Sequence, residues 1–342
     1  MECSRELWID RVKVIACVLV ALGHFCQSMI TAELVSAHSI YTGFLQTIYY
    51  FHVPLFFVCS GYLYQKTAKA SLCAWGTNVV KKAIALGIPY FVFSFATWAL
   101  KYVFSGSVNT QSGDLLKALF VAPLSPYWYL YTLFWIFVFT PAFRNSRMAM
   151  VGLSVALILK GISIFCGASI SIYGISTVCA NGIWFVGGMV LCQKNVLHTG
   201  LRKYCGKAGG ICGLLFLGGS VSMVVFSVEQ KEILSFGMGI LGCAAVLLTS
   251  WTLERKTLWI DRLTQYTMPV FLMHTICAAA TRAVLLKLGI SNLALHVALG
   301  IVASFIGPCI AYLIMKKLKL DVVIYPARYI HFPQGNGERK HG

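Results

Sequence analysis

Residues 9–31 read IDRVKVIACVLVALGHFCQSMIT, an apolar run that carries a few strongly polar side chains. The run is long enough for an α-helix that crosses a bilayer, which needs about 20 residues. At about 100° per residue, Asp10, Lys13, His24 and Gln27 fall on one face of that helix. The stretch therefore predicts a membrane helix with a polar stripe. Polar groups inside a membrane normally face the interior of a helix bundle.

The composition of the whole chain agrees with a membrane location. Of its 342 residues, 58% are hydrophobic and only 11% are charged, whereas soluble domains have about 25% charged residues. This composition excludes a soluble globular enzyme. The chain is predicted to be a single transmembrane domain over residues 1–342, with a short polar C-terminal tail from about residue 316.

The hydropathy pattern predicts an all-α polytopic integral membrane protein with about ten transmembrane helices in one bundle. The fourth and sixth segments are short, so one of them could instead be a re-entrant segment, which would change the topology. The ten apolar segments cover residues 12–30, 44–65, 80–104, 128–143, 149–168, 174–192, 209–228, 233–251, 266–286 and 293–315.

The distribution of basic residues tests that topology, because cytoplasmic loops are enriched in Lys and Arg. With a cytoplasmic N-terminus and ten crossings, all but six of the 28 Lys and Arg residues fall in segments on the cytoplasmic side. Both termini are therefore predicted to be cytoplasmic. The net charge of +17 reflects these loops, and no basic cluster with interleaved aromatic residues indicates nucleic-acid binding. The six exceptions are Lys101, Lys117, Lys160, Lys231, Arg282 and Lys287.

The cysteines and the N-terminus indicate no further elements. The 13 cysteines include no C-x-x-C pair, so neither a zinc site nor a disulfide framework is predicted, and no metal is expected. The first apolar segment lacks a small-residue cleavage site after it, so we expect it to remain as a membrane helix.

Two histidines are predicted to lie at one depth. A rise of 1.5 Å per residue places His24 ~20 Å above Asp10, in the outer half of the membrane, with Lys13 near the cytoplasmic surface. His52 enters from the outside in the segment YYFHVPLFF and lies ~12 Å below the outer surface. The two imidazoles therefore predict a shared polar cavity. The alternative interpretations are a snorkelling anchor for Lys13 and helix packing for the histidines.

Several stretches resemble a known family. Residues 5–16 read RELWIDRVKVIA, residues 18–25 read VLVALGHF, and residues 51–62 read FHVPLFFVCSGY. They are similar to the start of the membrane-bound acyltransferase-3 family, in which a Lys or Arg precedes a His by ten intervening residues, as Lys13 precedes His24. Residues 127–131 and 260–274 extend the resemblance. The sequence of residues 51–57 and the chain length are most similar to the fucose 4-O-acetylase-like branch of the family, which modifies sugars of bacterial surface polysaccharides.

The resemblance implies an integral-membrane O-acetyltransferase in a bacterial plasma membrane. It would move an acetyl group from cytoplasmic acetyl-CoA to a sugar hydroxyl, with His24 as the general base and Lys13 and Lys82 at the CoA phosphates. Many relatives carry an Arg-x-x-Arg pair before the proline of the third helix. Here Lys82 stands at the first position and Ala85 at the second. The pair Arg144 and Arg147 lies in a different loop, so the family role is not transferred to it.

The other candidate residues have two interpretations each. Asp10 completes the catalytic set, where pairing with Lys13 or a neighbouring cation is favoured over direct catalysis. His274 is expected nearer the cytoplasmic side than His24, either lining the donor channel or packing. Small-residue packing is favoured at Ser60, since no G-x-S-x-G elbow accompanies it. The substrate-binding candidates are His52, Ser60, Trp128, His274 and Arg282.

A transporter is the alternative function. Ten helices with a few buried polar groups would also suit a secondary transporter or a lipid-linked-sugar flippase. Transporters commonly show two related halves, which this sequence lacks. The sequence leaves open the acceptor, the acyl chain and the oligomeric state, and small amino acids or peptidoglycan fragments are alternative acceptors.

Overall fold

The computed structural model describes residues 6–36, 40–68, 70–105, 113–193, 202–226, 231–253 and 258–330. Within these ranges the chain is all-helical and has no β-strand. The described helices are α1 (Leu7–Thr31), α2 (Ile40–Tyr49), α3 (His52–Thr67), α4 (Leu72–Val103), α5 (Trp128–Phe139), α6 (Ser146–Cys166), α7 (Tyr173–Gln193), α8 (Arg202–Val225), α9 (Glu232–Thr252), α10 (Leu258–Thr264), α11 (Thr267–Lys287) and α12 (Leu293–Lys317).

Eight of the described helices are long and apolar enough to cross a membrane: α1, α4, α6, α7, α8, α9, α11 and α12. The chain is therefore a polytopic membrane protein, as predicted. The second and fourth predicted crossings correspond to shorter helices. The second is divided into α2, of 10 residues, and α3, of 16 residues, while α5 has 12 residues.

The short helices follow the predicted order of crossings. α3 runs parallel to α7, because His52 lies at the same cavity as Asn181 while the Gln65 side-chain amide donates to that of Gln193 over 2.8 Å near the other end of both helices. α5 runs parallel to α3. The ring of Phe57 lies 4.8 Å from that of Tyr129, and the ring of Tyr64 lies 5.2 Å from that of Phe137. Neither direction indicates a re-entrant segment.

Helix ends follow local chemistry, and this explains where the predicted boundaries differ. The prediction of one helix over residues 44–65 is wrong, since α2 ends at Tyr49 and α3 begins at His52. Pro54 lies in the first turn of α3, where its missing N–H breaks no helical hydrogen bond. The prediction that the third helix begins at residue 80 is also wrong. α4 begins at Leu72, where the Ser71 hydroxyl accepts a hydrogen bond from the Ala74 N–H.

α1 is the central helix and packs against α2, α3, α9, α10, α11 and α12. It runs parallel to α11. The Cys17 thiol lies 3.4 Å from the Thr267 carbonyl oxygen, and Arg282 donates to Ser28 further along both helices, ~17 Å along α1 and ~22 Å along α11. Residue 17 of α1 is thus level with the start of α11. α1 extends further toward the face where both helices begin.

The two faces of the bundle differ in charge. We call the face where α1 begins and α12 ends the basic face, because Lys66, Lys81, Arg144 and Lys316 lie there. The positive-inside rule predicts that this face is cytoplasmic, and we call the opposite face the outer face. After α12, residues 318–330 fold back onto the basic face, where Ile324 is buried and the Tyr325 hydroxyl donates to the Gln265 carbonyl over 2.7 Å.

Candidate functional site

A cavity of about 420 Å³ lies in the outer half of the bundle. This volume is within the range of about 300–1,000 Å³ that is typical of small-molecule sites. Its walls combine aromatic rings with a few polar and charged side chains. The lining includes His24 and Gln27 of α1, Gln46 and Tyr49 of α2, His52 of α3, Trp128 of α5, Lys160 of α6, Asn181 and Trp184 of α7, and Glu232 and Phe236 of α9.

His24 lies at the wall of this cavity. The side chain of Gln27, one turn further along α1, lies beside the imidazole and lines the same cavity. The Gln27 carbonyl oxygen also accepts a hydrogen bond of 3.0 Å from the Tyr49 hydroxyl. This hydrogen bond connects α1 to α2 one turn beyond His24.

His52 lines the same cavity, as its predicted depth suggested. Its Nδ1 lies 2.7 Å from the carbonyl oxygen of Ile48. Because a carbonyl can only accept, Nδ1 carries the proton and Nε2 retains its lone pair. The ring packs at 4.9 Å on Tyr49, and its charge would interact with that of His24. The structure thus brings together the two histidines that the sequence analysis paired.

His274 is the third histidine of this group. Its ring centroid lies 5.3 Å from that of His24. The expectation that His274 lies nearer the basic face than His24 is wrong, because α1 begins well before α11 on that side. Its Nδ1 contacts the carbonyl oxygens of Val270 and Phe271 at 2.8 and 3.0 Å, and its buried Nε2 has no hydrogen-bond partner. His274 therefore presents an unused lone pair beside His24.

Arg282 and Ser60 make contacts between helices. The Arg282 guanidinium is buried at the outer end of α11 and donates to the Ser28 hydroxyl of α1. The Ser60 hydroxyl lies 3.2 Å from that of Tyr129. Neither Arg282 nor Ser60 is among the described residues that line the cavity. Trp128, the remaining substrate-binding candidate, does line it.

The candidate donor-binding residues converge closer to the basic face. Lys13 of α1 and Lys82 of α4 are near enough for their charges to interact. The Lys82 ammonium lies 4.6 Å from the centre of the Phe137 ring. Lys13 and the buried Asp10 both act electrostatically on the Cys59 thiol. Residues far apart in the sequence thus form a cationic cluster below the cavity.

The lining residues that were not among the predicted site residues include four with polar or aromatic side chains from α6, α7 and α9: Lys160, Asn181, Trp184 and Glu232. Lys160 was visible in the sequence as a cation inside an apolar segment. Glu232 and Trp184 gave no such signal, because acidic residues at helix starts and tryptophans near membrane interfaces are common. Within the described ranges, no group of three or more His, Cys, Asp or Glu side chains could hold a metal ion.

Comparison with known proteins identifies the family. The family model for the acyltransferase domain of the acyltransferase-3 type matches residues 6–313, which is most of the chain. The chain belongs to the acyltransferase-3 family. The acyltransferase domain thus includes the three clustered histidines and the two lysines nearer the basic face.

One curated relative shares part of this domain. The nodulation protein NolL of Sinorhizobium fredii is 31% identical over 147 residues, which are 42% of this chain and 38% of the relative. The match therefore spans well under half of the length of that relative. No solved structure matches the acyltransferase chain.

Proposed function

We propose that the protein is an O-acetyltransferase that moves an acetyl group from cytoplasmic acetyl-CoA to a hydroxyl of a cell-surface or lipid-linked sugar. The observation that carries the proposal is the placement of α1. One end of this helix brings Lys13 to the cationic cluster near the basic face, and the other brings His24 to the cavity in the outer half. The family assignment supports acyl transfer, and the cavity supports a polar acceptor of moderate size.

His24 acts as the general base in this proposal. A sugar hydroxyl is a weak nucleophile near neutral pH, and a neutral imidazole within hydrogen-bonding distance takes its proton as the oxygen attacks the thioester carbonyl. A C–O bond forms and the C–S bond breaks. The imidazolium then returns the proton to the departing CoA thiolate, so the base is regenerated.

The neighbouring residues have supporting roles. His52 offers a lone pair on Nε2 toward the same cavity, which suits it to orient the acceptor hydroxyl. His274 offers its unpartnered Nε2 as a hydrogen-bond acceptor for the imidazolium that forms at His24. The aromatic ring of Trp128 provides a surface for the sugar. Arg282 and Ser60 are packing residues in this scheme.

The cationic cluster is suited to the donor. Lys13 and Lys82 carry like charges that interact across α1 and α4, and their mutual repulsion is relieved when an anion binds between them. The phosphates of CoA are such anions. Asp10, buried beside Lys13, limits the excess of positive charge and fixes the position of the cluster. The proposed location is the plasma membrane of a bacterium.

Transfer of label tests this proposal. The purified protein in lipid vesicles is given acetyl-CoA labelled in the acetyl group and a panel of envelope glycans. An O-acetyltransferase places the label on the glycan in an alkali-labile ester. Movement of unmodified glycan across the vesicle membrane without transfer of label would instead identify the transporter or flippase.

A further inference from the structure

Lys160 is a cation at the wall of the cavity that the acetyl-transfer mechanism does not use. The residue lies on α6 and is only 8% exposed. Within the ranges that the structure describes, its ammonium has no hydrogen-bond acceptor and no salt-bridge carboxylate within 4 Å. The ammonium lies 5.5 Å from the centre of the Phe236 ring. The side chain is thus held in a mostly buried position at the cavity wall, where its ammonium can meet a ligand.

Two opposite charges, Lys160 and Glu232, line this part of the cavity. Glu232, at the start of α9, is within electrostatic range of Lys160. Its side chain is exposed to solvent, however, and the field of an exposed carboxylate is strongly screened by water and salt. His24 and His52 are neutral when they act as bases and acceptors. Of the two opposite charges that line the cavity, Lys160 is thus the more buried and the less screened.

Aromatic rings surround the same position. Trp184 and Phe236 pack with ring centroids 5.3 Å apart, and Trp128 lines the cavity as well. Apolar rings around a few fixed polar groups are typical of sites that orient a small ligand. A sugar ring can pack on these surfaces while a charged substituent reaches Lys160.

We propose that Lys160 forms a subsite for an anionic oxygen group of the acceptor, so that the protein selects acidic glycans over neutral ones. The proposal rests on the proposed function, because it assigns this cavity to the acceptor. A carboxylate of a uronic acid and a phosphate of a glycosyl phosphate share the required chemistry. Either would accept charge-assisted hydrogen bonds from the ammonium.

Binding without a donor tests the subsite. The full-length protein in lipid nanodiscs is titrated with three probes: a galacturonic acid trisaccharide, its carboxyl-reduced neutral counterpart, and galactose 1-phosphate. We expect the trisaccharide acid or the phosphate to bind about tenfold or more tightly than the neutral trisaccharide at low salt. Tighter binding of the trisaccharide acid identifies a carboxylate ligand, and tighter binding of the phosphate identifies a phosphate ligand.

Variants separate the charge from the fold. Lys160→Gln is expected to abolish the preference for the anionic probe and to leave neutral binding nearly unchanged, while Lys160→Arg retains the preference. Glu232→Gln is expected to preserve or increase it. Lys117→Gln, which removes an exposed cation on the same face, is the matched control and should have no effect. Equal binding of anionic and neutral probes by the wild type, or an unchanged preference in Lys160→Gln, would overturn the subsite.

The two proposals can fail separately in this design. Anionic preference without transfer of labelled acetyl to any glycan would support the subsite and contradict the acetyltransferase. Transfer of label together with equal binding of all three probes would contradict the subsite alone.

Discussion

The imidazole rings of His24 and His274 lie side by side, with centroids 5.3 Å apart and planes inclined by 38°. The two residues are 250 positions apart in the sequence and meet because α1 and α11 run parallel. The Nδ1 of His274 is held by backbone carbonyls of its own helix, so its Nε2 is the nitrogen without a partner. This arrangement gives His24 a neighbour that can accept a hydrogen bond from its protonated form.

His274→Phe is expected to lower the kcat of acetyl transfer by about 10- to 150-fold. The change keeps a ring in the buried site and removes the lone pair that stabilises a charged His24, and hydrogen bonds to charged groups contribute about 1.5–3 kcal/mol. The KM values for both substrates should change little. His296→Phe is the matched control, because His296 is a buried histidine that contacts only the Ile290 carbonyl among its recorded hydrogen bonds. Equal kcat in both variants would exclude a role for His274 in the reaction.

The donor cluster gives a second prediction. Lys13→Gln and Lys82→Gln should each raise the KM for acetyl-CoA about tenfold, with little change in the KM for the acceptor, because each loses a charge-assisted contact to a phosphate. Added salt should raise the same KM in the wild type. Lys101→Gln removes a cation from the outer end of α4 and serves as the control. Unchanged donor KM in both variants would show that these lysines are membrane anchors.

The crossing of α3 and α7 gives a prediction for stability. A Cβ atom at Gly188 would overlap the Val58 carbonyl oxygen, whereas one at the adjacent Gly187 would meet nothing within 4 Å. Gly188→Ala should therefore lower the thermal unfolding temperature in detergent by several degrees, and Gly187→Ala should leave it nearly unchanged. Equal temperatures for the two variants would contradict the close approach of the helices.

Labelling of exposed cysteines tests the orientation. Cys166 lies at the outer end of α6 and Cys73 lies at the basic-face end of α4, and both are exposed. In intact cells, a membrane-impermeant maleimide should label Cys166 and a cysteine introduced by Asp114→Cys. It should label Cys73 only after permeabilisation. Labelling of Cys73 in intact cells would reverse the assignment of the faces.

Local sequence patterns predicted the parts of the site that lie on one helix. The spacing of Lys13 and His24 on α1 follows from helical periodicity, and the meeting of His24 with His52 follows from depth in a bilayer of known thickness. The depth of His274 was misjudged because helices do not all begin at one level. The contact of Cys17 with Thr267 sets that offset, and it depends on tertiary packing.

The acceptor side of the cavity could not be assembled from the sequence. Lys160 and Glu232 lie on α6 and α9, and only the packing of these helices around α7 brings them to one cavity. No sequence motif around Lys160 or Glu232 predicts that the two side chains lie close together. The break between α2 and α3 was also missed, because the hydropathy of residues 44–65 is continuous across it.

His24→Ala measures the central claim most directly. A positioned general base contributes about 10²- to 10⁴-fold, so we expect the kcat for transfer of labelled acetyl to fall by that factor. The variant should still insert and still bind acetyl-CoA. His52→Ala should lower this kcat by a smaller factor if His52 orients the acceptor. A decrease in kcat as large as that of His24→Ala would make His52 the better candidate for the base.

The decisive measurement is the single-turnover rate of label transfer per folded molecule, compared between the wild type and His24→Ala in the same vesicles. The account predicts a loss of at least about 100-fold in the variant, with a normal unfolding temperature. A wild-type rate in a well-folded His24→Ala protein would contradict it.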